Sequence, residues 1–556
     1  MPHHSVLRCG FSNPFPSAIL SEVRFGHFCH SFRFTFQHRL SDPNSYLRTS
    51  LGFAAQLPGQ AYSWDEWGAP MTRQISAAWF LIFACLFLTS CSGAPGGGCI
   101  SNCGGGNATI SFVLTATPPN PSLGLSIQTL ATTITGISLV PTTGNTVNIP
   151  LNASSFIADL NRATSDSILL ATAVSVPSGN YAQVTVTFSA SRVTSCTQAN
   201  PGVPGCAAGT LGSVTGAVGS ATISTNLSLG TNQQSGIVLN ANIGDALTLN
   251  GQIVTAVNLG SANVFSVIAL PPSSTQTDLA SGELAHVDDV MGLVTAVSGS
   301  TLTIQTSTRG SITATANSST QYSSVNCSSQ NFSCVQGNAV AIIDTLLNAD
   351  GTFTLTFYQP LTTPSLDVLE GVVTGVPNSV TNQFAIVVTD SVFSNSGSVL
   401  RGQVNLGDQV VVTLNAPNPF TIVSKGLTYP AGSDFEHSTS VASILPGQTV
   451  AFPASTFTAQ SGGTPGTATS QDLALRLTRF SAVMSSPTLP VFSANTFPPF
   501  FGLTTAQQFQ TTSARLSVDG ISSLTNIPAG TTISTAALYI GPPVAPQFAA
   551  QSVRAH

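Results

Sequence analysis

Residues 291–302 read Met-Gly-Leu-Val-Thr-Ala-Val-Ser-Gly-Ser-Thr-Leu, and residues 370–376 repeat the start of this pattern as Glu-Gly-Val-Val-Thr-Gly-Val. Each copy leads to a later strand start that opens with glycine and Asn or Asp, at Gly337-Asn338 and at Gly407-Asp408. A strand pattern that recurs with its own turn signals is typical of similar β-domains in tandem. The repeat therefore decides the architecture that we predict for the second half of the chain.

The composition favours strands along the rest of the chain as well. Only 6% of the 556 residues are charged, with a net charge of −6, against roughly 25% charged residues in an average soluble domain. Residues 184–188 alternate strictly as Val-Thr-Val-Thr-Phe, and no convincing helical periodicity follows Cys91. We therefore predict an all-β fold with length for three or four domains. The single lysine, Lys425, and the lack of a basic patch argue against a nucleic-acid partner.

An export signal precedes the predicted domains. Residues 71–90 combine a basic start, an apolar stretch and small residues, which is the organisation of a signal peptide. We interpret residues 1–70 as a mis-called, disordered upstream extension; the alternative is a cytoplasmic extension with an internal signal anchor.

The ending Leu-Thr-Ser-Cys91 resembles the bacterial lipobox. This resemblance implies lipidation of Cys91 and anchoring to the outer membrane, on its periplasmic or surface face, with residues 91–107 as a glycine-rich tether. The alternative is an ordinary secreted protein.

Six further cysteines follow Cys91 and form three close pairs in sequence. An even number of cysteines in an exported protein predicts disulfide bonds, and pairing within each couple is the simplest of the possible connectivities. A zinc site would need histidines nearby, which are lacking. The disulfide candidates are Cys99, Cys103, Cys196, Cys206, Cys327 and Cys334.

Residues 108–272 form the first predicted domain. A turn-linked hairpin at residues 134–149 is followed by Asp159-Leu160 and then by Val176-Pro-Ser-Gly-Asn-Tyr181, which enters a strand. These motifs resemble the domain-of-unknown-function family numbered 4382. The resemblance implies an immunoglobulin-like or transthyretin-like sandwich in an exported bacterial protein, and it implies no activity.

The repeated segment resembles the domain-of-unknown-function family numbered 5666, whose pattern is a Gly-x-Val strand, a turn and a Gly-Asx strand start. The resemblance implies small OB-like β-barrels. We predict barrel repeat 1 at 285–362, repeat 2 at 366–445 and a degenerate repeat 3 at 446–545, where residues 478–483 and 528–533 carry the pattern. Residues 546–556 are predicted to be a disordered tail.

Two acidic clusters with a histidine are the candidate metal sites. Oxygen ligands and one imidazole are suitable for a divalent cation, and a metal-dependent hydrolase of envelope polymers would use them. The alternative is a solvated linker that keeps the domains soluble. Strand alternation would place His286 and Asp288 on one face and Glu283 and Asp289 on the other. The candidate ligands are Glu283, His286, Asp288, Asp289, Asp434, Glu436 and His437.

No nucleophile elbow, Walker A loop or HExxH motif occurs in the chain, so we predict no catalytic residues and no cofactor. The aromatic run Phe497-Pro-Pro-Phe-Phe501 is interpreted as core of the last barrel; the alternative is an exposed partner-binding or glycan-stacking loop. The sequence favours a non-enzymatic, lipid-anchored envelope protein with a glycan or another envelope protein as partner. A small-ligand or glycan carrier and a metal-dependent hydrolase are the alternatives.

Overall fold

The computed structural model describes residues 21–22, 33–34, 106–154, 156–197, 202–206, 210–270, 286–348, 351–362, 366–375, 381–394, 397–511, 517–519 and 523–556. The chain divides into two compact units, Met1–Cys99 and Ile100–His556. In the first unit, β1 (Ser21–Glu22) pairs antiparallel with β2 (Arg33–Phe34). The predicted signal peptide and tether, apart from the tether's last residues, lie outside the described part. In that part, no helix has the length and apolar character to cross a membrane.

The second unit is built almost entirely of strands, which confirms the all-β prediction. Its first module is a two-sheet sandwich, whose seven-stranded sheet has the order β10-β9-β4-β8-β11 with β5 and β6 on β4, facing a second sheet of order β15-β12-β3-β7. The strands are β3 (Asn107–Thr117), β4 (Ile127–Pro141), β5 (Val147–Ile149), β6 (Phe156–Asp159), β7 (Ile168–Pro177), β8 (Gly179–Phe188), β9 (Arg192–Cys196), β10 (Leu211–Thr215), β11 (Gly219–Leu229), β12 (Gln234–Asn242), β13 (Leu247–Asn250), β14 (Ile253–Val257) and β15 (Phe265–Ala269). A single turn of helix, α1 (Ile243–Ala246), precedes the β13–β14 hairpin.

The alternating pattern of β8 shows why these residues form a sandwich. Val184, Val186 and Phe188 are buried, whereas Thr185 and Thr187 between them are partly or fully exposed. Side chains of a strand point alternately to its two faces, so one face of β8 joins the apolar core and the other meets solvent. The sandwich predicted for residues 108–272 is thus present, with strands from Asn107 to Ala269.

Residues 286–362 form a closed barrel, here called barrel 1. Its strands are β16 (His286–Ser298), β17 (Thr301–Gln305), β18 (Ser311–Tyr322), β19 (Val340–Leu347) and β20 (Phe353–Thr362). The order of these five strands around the barrel is β16-β17-β18-β20-β19, and β19 pairs with β16 to close it. The third strand, β18, and the fifth strand, β20, are parallel. Five strands closed in this way are the OB-like barrel that the repeat predicts.

The repeated glycine of the sequence pattern has one structural cause in both copies. A Cβ atom on Gly292 would lie 2.6 Å from Ile304 and 2.7 Å from the carbonyl oxygen of Gln305. A Cβ atom on Gly371 would lie 2.7 Å from Ile386 and 2.7 Å from the carbonyl oxygen of Val387. The second strand of each barrel therefore crosses so close to the first that only glycine fits at this position.

The strand order of barrel 1 recurs twice more. Repeat 2 contains β21 (Val368–Val373), β22 (Gln383–Val392), β23 (Gln409–Leu414), β24 (Thr421–Ile422), β25 (Thr449–Pro453), β26 (Thr456–Thr458) and β27 (Gly466–Ser470). Repeat 3 contains β28 (Ala474–Ser486), β29 (Val491–Asn495), β30 (Gln507–Gln510), β31 (Ser517–Asp519), β32 (Thr532–Tyr539) and β33 (Phe548–Ala555). In repeat 2 the fourth strand is the kinked pair β25–β26. In both repeats the third and fifth strands are parallel, as β23–β27 and β30–β33.

Two predicted boundaries are wrong. Repeat 2 does not end at residue 445, because β25 to β27 complete its barrel and extend it to Ser470. Residues 546–556 are not a disordered tail, because β33 pairs with β30, β31 and β32 and its side chains are buried. Repeats 2 and 3 also share one 13-stranded sheet, since β28 pairs with β25 at its start and with β32 further along.

Repeat 3 has an aromatic core. Phe480 lies 5.0 Å from Phe501, 5.4 Å from Phe548 and 5.5 Å from Phe497, measured between ring centroids. Phe500 is buried beside them. The interpretation of residues 497–501 as core is confirmed.

Candidate functional site: a buried charge network between the modules

The charged side chains that are so scarce in the sequence gather where the four modules meet. We call this group the junction network: Arg162 and Asp166 from the sandwich, Asp289 and Asp344 from barrel 1, Glu370, Asp390 and Lys425 from repeat 2, and Arg476 and Arg479 from repeat 3. All nine residues are buried or nearly so. Buried charges are tolerated only when they are paired, so the modules must stay together for these residues to remain paired.

Asp289 is the centre of the network. Its Oδ1 is 2.9 Å from Arg476 Nη2 and 3.4 Å from Lys425 Nζ, and its Oδ2 is 2.9 Å from Arg479 Nη2. Burial alone would raise the pKa of Asp289, but these cations, with Arg162, outweigh it and hold the pKa well below its usual range. The residue has a φ of 56° and lies at an irregularity of the β16–β19 ladder. This local bulge turns the carboxylate into the junction.

Lys425 is enclosed by two carboxylates. Its Nζ lies 2.7 Å from Asp344 Oδ1, and the side chains of both residues are fully buried. Asp344 Oδ1 also accepts a hydrogen bond from the backbone N–H of Asp289 at 2.6 Å. Lys425 follows β24 and has a φ of 53°, so a turn in the left-handed region directs its side chain from repeat 2 to barrel 1.

The sandwich joins the network through a short 3-10 helix, Arg162–Thr164, that follows β6. Arg162 Nε donates to Asp166 Oδ2 at 3.0 Å, and its Nη2 donates to the carbonyl oxygen of Asp289 at 2.8 Å. Arg479 Nε reaches Asp166 Oδ2 from repeat 3 at 2.7 Å. Burial favours the neutral form of Asp166, but Arg479 and Arg162 outweigh it and lower its pKa. Each of these arginines therefore ties the sandwich to another module.

The last strand, β33, makes a second set of hydrogen bonds to the same helix. Arg554 Nη1 donates to the carbonyl oxygens of Ala163 at 3.0 Å, Asp166 at 3.2 Å and Thr164 at 3.3 Å. Backbone carbonyls at the end of a helix have no partner within it, and a guanidinium can satisfy several of them at once. The strand that we predicted to be disordered therefore fixes the sandwich to repeat 3.

Asp390 makes the stability of the junction depend on pH. Burial raises its pKa to about 6, and the attraction of Arg162, whose Nη1 is 3.8 Å from Oδ2, only partly opposes this. The folded state therefore holds this proton more tightly than the unfolded state. We expect the contribution of Asp390 to the free energy of unfolding to be greatest below about pH 4 and to be lost as the pH rises to about 6, by roughly 3 kcal/mol.

This expectation is checked by urea unfolding at pH 4.5 and pH 7.5. An Asp390→Asn variant mimics the neutral carboxyl and should flatten the difference between the two values; an Asp472→Asn variant on the exposed surface should keep the wild-type difference. An Asp390→Asn variant with an unaltered pH profile would rule out Asp390 as the group responsible.

A small cavity of about 70 Å³ lies beside the network. Arg162, Glu370 and Arg479 form its charged side together with Asp159. Burial raises the pKa of Asp159, and two backbone N–H groups that donate to its Oδ1 offset this only partly. Ligand sites for organic molecules occupy roughly 300–1,000 Å³. This cavity therefore has room for a few water molecules rather than for an organic ligand.

A larger cavity of about 480 Å³ lies between the sandwich, barrel 1 and repeat 2. Its walls are rich in hydroxyl side chains, namely Thr132, Thr133, Ser191, Thr215, Ser307, Thr308 and Ser391. Arg192 also lines it, but Arg192 Nη1 donates to Asp408 Oδ1 at 2.6 Å, so its charge is compensated. Phe393 contributes an aromatic surface. Ala131, Ile157, Ala190, Val404 and Leu406 also form part of the wall, so it combines hydroxyl groups with apolar surface.

The structure does not bring the predicted metal ligands together. Among the described residues, no group of three His, Cys, Asp or Glu side chains is placed to hold a metal ion. The oxygens of Asp289 are occupied by Arg476, Arg479 and Lys425, so neither the metal prediction nor the solvated linker describes this residue.

The other members of the two clusters lie apart from that site. His286 and Asp288 are half-buried on β16, and Glu283 lies outside the described residues. Asp434 and His437 are exposed, and Glu436 accepts a hydrogen bond from Tyr429 Oη at 2.9 Å. The described members of the two clusters are thus divided between barrel 1 and repeat 2.

Two of the three predicted disulfides are present. Cys196 is bonded to Cys206, and Cys327 to Cys334, which confirms local pairing for both. The backbone N–H of Cys206 donates to the carbonyl oxygen of Thr374 at 2.6 Å, so the first disulfide loop also ties the sandwich to repeat 2. Three other cysteines with predicted roles lie outside the described residues: Cys91, Cys99 and Cys103.

Sequence reasoning missed most of the network, although one signal was present. Arg476 stands between Leu475 and Leu477 inside a strand, and an isolated charge in an apolar strand of a chain with so few charges indicates a buried ion pair. The partners of Arg476 come from other modules, so the sequence did not identify them.

Comparison with known proteins adds no relative: no family model matches this chain, and no curated protein is significantly similar to it. The resemblances to the families numbered 4382 and 5666 therefore stay predictions.

Proposed function

We propose that this chain is a lipid-anchored protein of the bacterial cell envelope with a non-enzymatic, structural or binding role. The observation that carries the proposal is the junction network. It uses buried charged side chains from all four modules as contacts between modules. A catalytic acid or base needs access to a substrate, whereas the side chains of Asp289, Lys425 and Arg476 are fully buried.

The proposal combines this fused group of β-modules with the lipobox-like ending of residues 71–90. Lipid chains on Cys91 hold the protein at a membrane, and the glycine-rich residues 91–107, predicted as a tether, connect Cys91 to the modules. Low surface charge and many hydroxyl side chains are compatible with a crowded envelope or a glycan layer.

The cavity of about 480 Å³, whose wall carries several hydroxyl side chains, supports a binding role. Its size is in the range of small-molecule sites, and a wall that combines hydroxyl groups with apolar and aromatic surface is compatible with a sugar unit or another neutral ligand. This observation supports a glycan or small ligand as the second candidate for what the protein holds, beside another envelope protein.

Anchoring is tested by fractionation and protease treatment of intact cells that express the chain from Met71. We expect the wild type in the membrane fraction and a Cys91→Ala variant in the soluble exported fraction, because the variant lacks the acylated thiol. Digestion of the wild type by external protease, while a periplasmic marker survives, would place it on the surface; protection would place it on the periplasmic face.

A matched Cys85→Ala variant, altered within the predicted signal peptide, should behave as the wild type does. Equal membrane retention of Cys91→Ala and wild type would contradict the lipid anchor.

A further inference from the structure

The single lysine of the chain lies in an arrangement of reactive groups rather than in a simple surface ion pair. Lys425 Nζ is 2.7 Å from Asp344 Oδ1 and 3.4 Å from Asp289 Oδ1, and all three side chains are fully buried. The two partners of this contact belong to different modules, since Lys425 follows β24 of repeat 2 and Asp344 lies in β19 of barrel 1. An amine and a carboxyl group are thus held in contact away from water.

The contact leads directly to a reactive form of the pair, because Lys425 Nζ and Asp344 Oδ1 lie within proton-transfer distance of each other. Transfer of one proton from Lys425 to Asp344 gives a neutral amine beside a neutral carboxylic acid. A neutral amine has the free electron pair that a nucleophile needs.

We propose that Lys425 and Asp344 condense to an intramolecular amide that covalently joins repeat 2 to barrel 1. Nζ of the neutral amine attacks Cγ of the Asp344 carboxylic acid, and a C–N bond forms. The carboxyl hydroxyl then leaves with the proton that nitrogen loses, as one molecule of water. The reaction exchanges no electrons with a second reagent and needs no co-reactant.

Two groups of Asp289, its backbone N–H and its carboxylate, assist this step. Its backbone N–H donates to Asp344 Oδ1 at 2.6 Å, so it is placed to stabilise negative charge that develops on this oxygen during attack. Its carboxylate Oδ1 faces Lys425 Nζ, where it stabilises the positively charged nitrogen of the intermediate.

Holding the reacting groups in contact replaces an encounter between two molecules by a step within one, which is a large advantage for such a condensation. The packing of barrel 1 against repeat 2 supplies this contact. The amide is therefore expected to form only in the folded chain, after the modules have met.

The test uses the fact that Lys425 is the only lysine. The purified chain is denatured, reduced and digested with a protease that cleaves only after a free lysine. We expect no cleavage, because the side-chain nitrogen is acylated. Further digestion with chymotrypsin should yield a branched peptide that contains Lys425 and Asp344, with the summed mass of its two parts less one water.

Two variants serve as controls. Arg401→Lys places a second lysine on the exposed surface, and cleavage there while position 425 stays intact shows that the protease is active. Asp344→Ala removes the carboxyl partner and should give complete cleavage after Lys425, with residues 426–556 as the C-terminal fragment. The wild-type digest decides the matter even if Asp344→Ala fails to fold.

Complete cleavage of the wild type at Lys425, or linear peptides of unmodified mass, would overturn the amide and leave an ion pair. An uncleaved Lys425 with a gain in mass would also overturn it, because that result identifies an external acyl group.

Discussion

An Asp289→Asn variant is expected to lower the free energy of unfolding by about 3–5 kcal/mol, the usual cost of removing one partner of a buried charge cluster. The substitution keeps the size of the side chain and removes its negative charge. Arg476, Arg479 and Lys425, which Asp289 contacts together, would then face an amide instead of a carboxylate. A loss of this size is a large part of the 5–15 kcal/mol by which domains are typically stable.

The loss is measured by urea unfolding at neutral pH, beside an Asp434→Asn variant. Asp434 is exposed, so its replacement should change the free energy of unfolding by no more than about 0.5 kcal/mol. An Asp289→Asn variant that unfolds at the same urea concentration as this control would show that the junction network does not stabilise the protein.

Deletion of residues 546–556 is expected to abolish the folding of repeat 3. The deletion removes β33, which pairs with β30, β31 and β32 and closes the barrel. It also removes Phe548, which packs in the aromatic core, and Arg554, which donates hydrogen bonds to the sandwich. The loss of one buried phenylalanine side chain alone costs about 3–5 kcal/mol, and unpaired edges of β30 and β32 add to this.

Hydrogen exchange of the repeat 3 strands is the appropriate measurement, because it reports the protection of each strand separately. Removal of His556 alone is the matched control; its backbone N–H and ring contact Thr532 and Ser534 at the rim, so protection should persist. Full protection of β28 and β32 after the longer deletion would contradict the structural role of β33.

The sequence predicted the fold class and the first two modules well, for a physical reason. The alternation at residues 184–188 and the close approach required at Gly292 and Gly371 are local properties, and local patterns can be recognised without the partner strand. The limits 108–272 and 285–362 match the strands of the sandwich and of barrel 1.

The later boundaries depended on pairing between distant strands. β33 reads Phe-Ala-Ala-Gln-Ser-Val-Arg-Ala, which contains few large apolar residues, so its burial follows from its place between neighbouring strands rather than from its own pattern. The predicted end of repeat 2 at residue 445 lies just before β25, and the pairing of β25 with β21 connects segments about 80 residues apart, so no local pattern showed that β25 belongs to repeat 2.

The junction network could not be predicted from the sequence for a similar reason. Arg162, Asp289 and Arg479 lie far apart in the sequence, and no local pattern indicates that they meet. The bulge at Asp289, with its φ of 56°, also breaks the strand alternation on which the predicted faces depended.

The central claim is that the junction network joins four β-modules into one cooperative unit. Differential scanning calorimetry of the chain from Ile100 onwards tests it most directly, with wild type and Asp289→Asn compared at neutral pH. We expect a single transition for the wild type, with the calorimetric enthalpy equal to the van't Hoff enthalpy, and separate transitions at lower temperature for Asp289→Asn. Several independent transitions in the wild type, unchanged by Asp289→Asn, would contradict the claim.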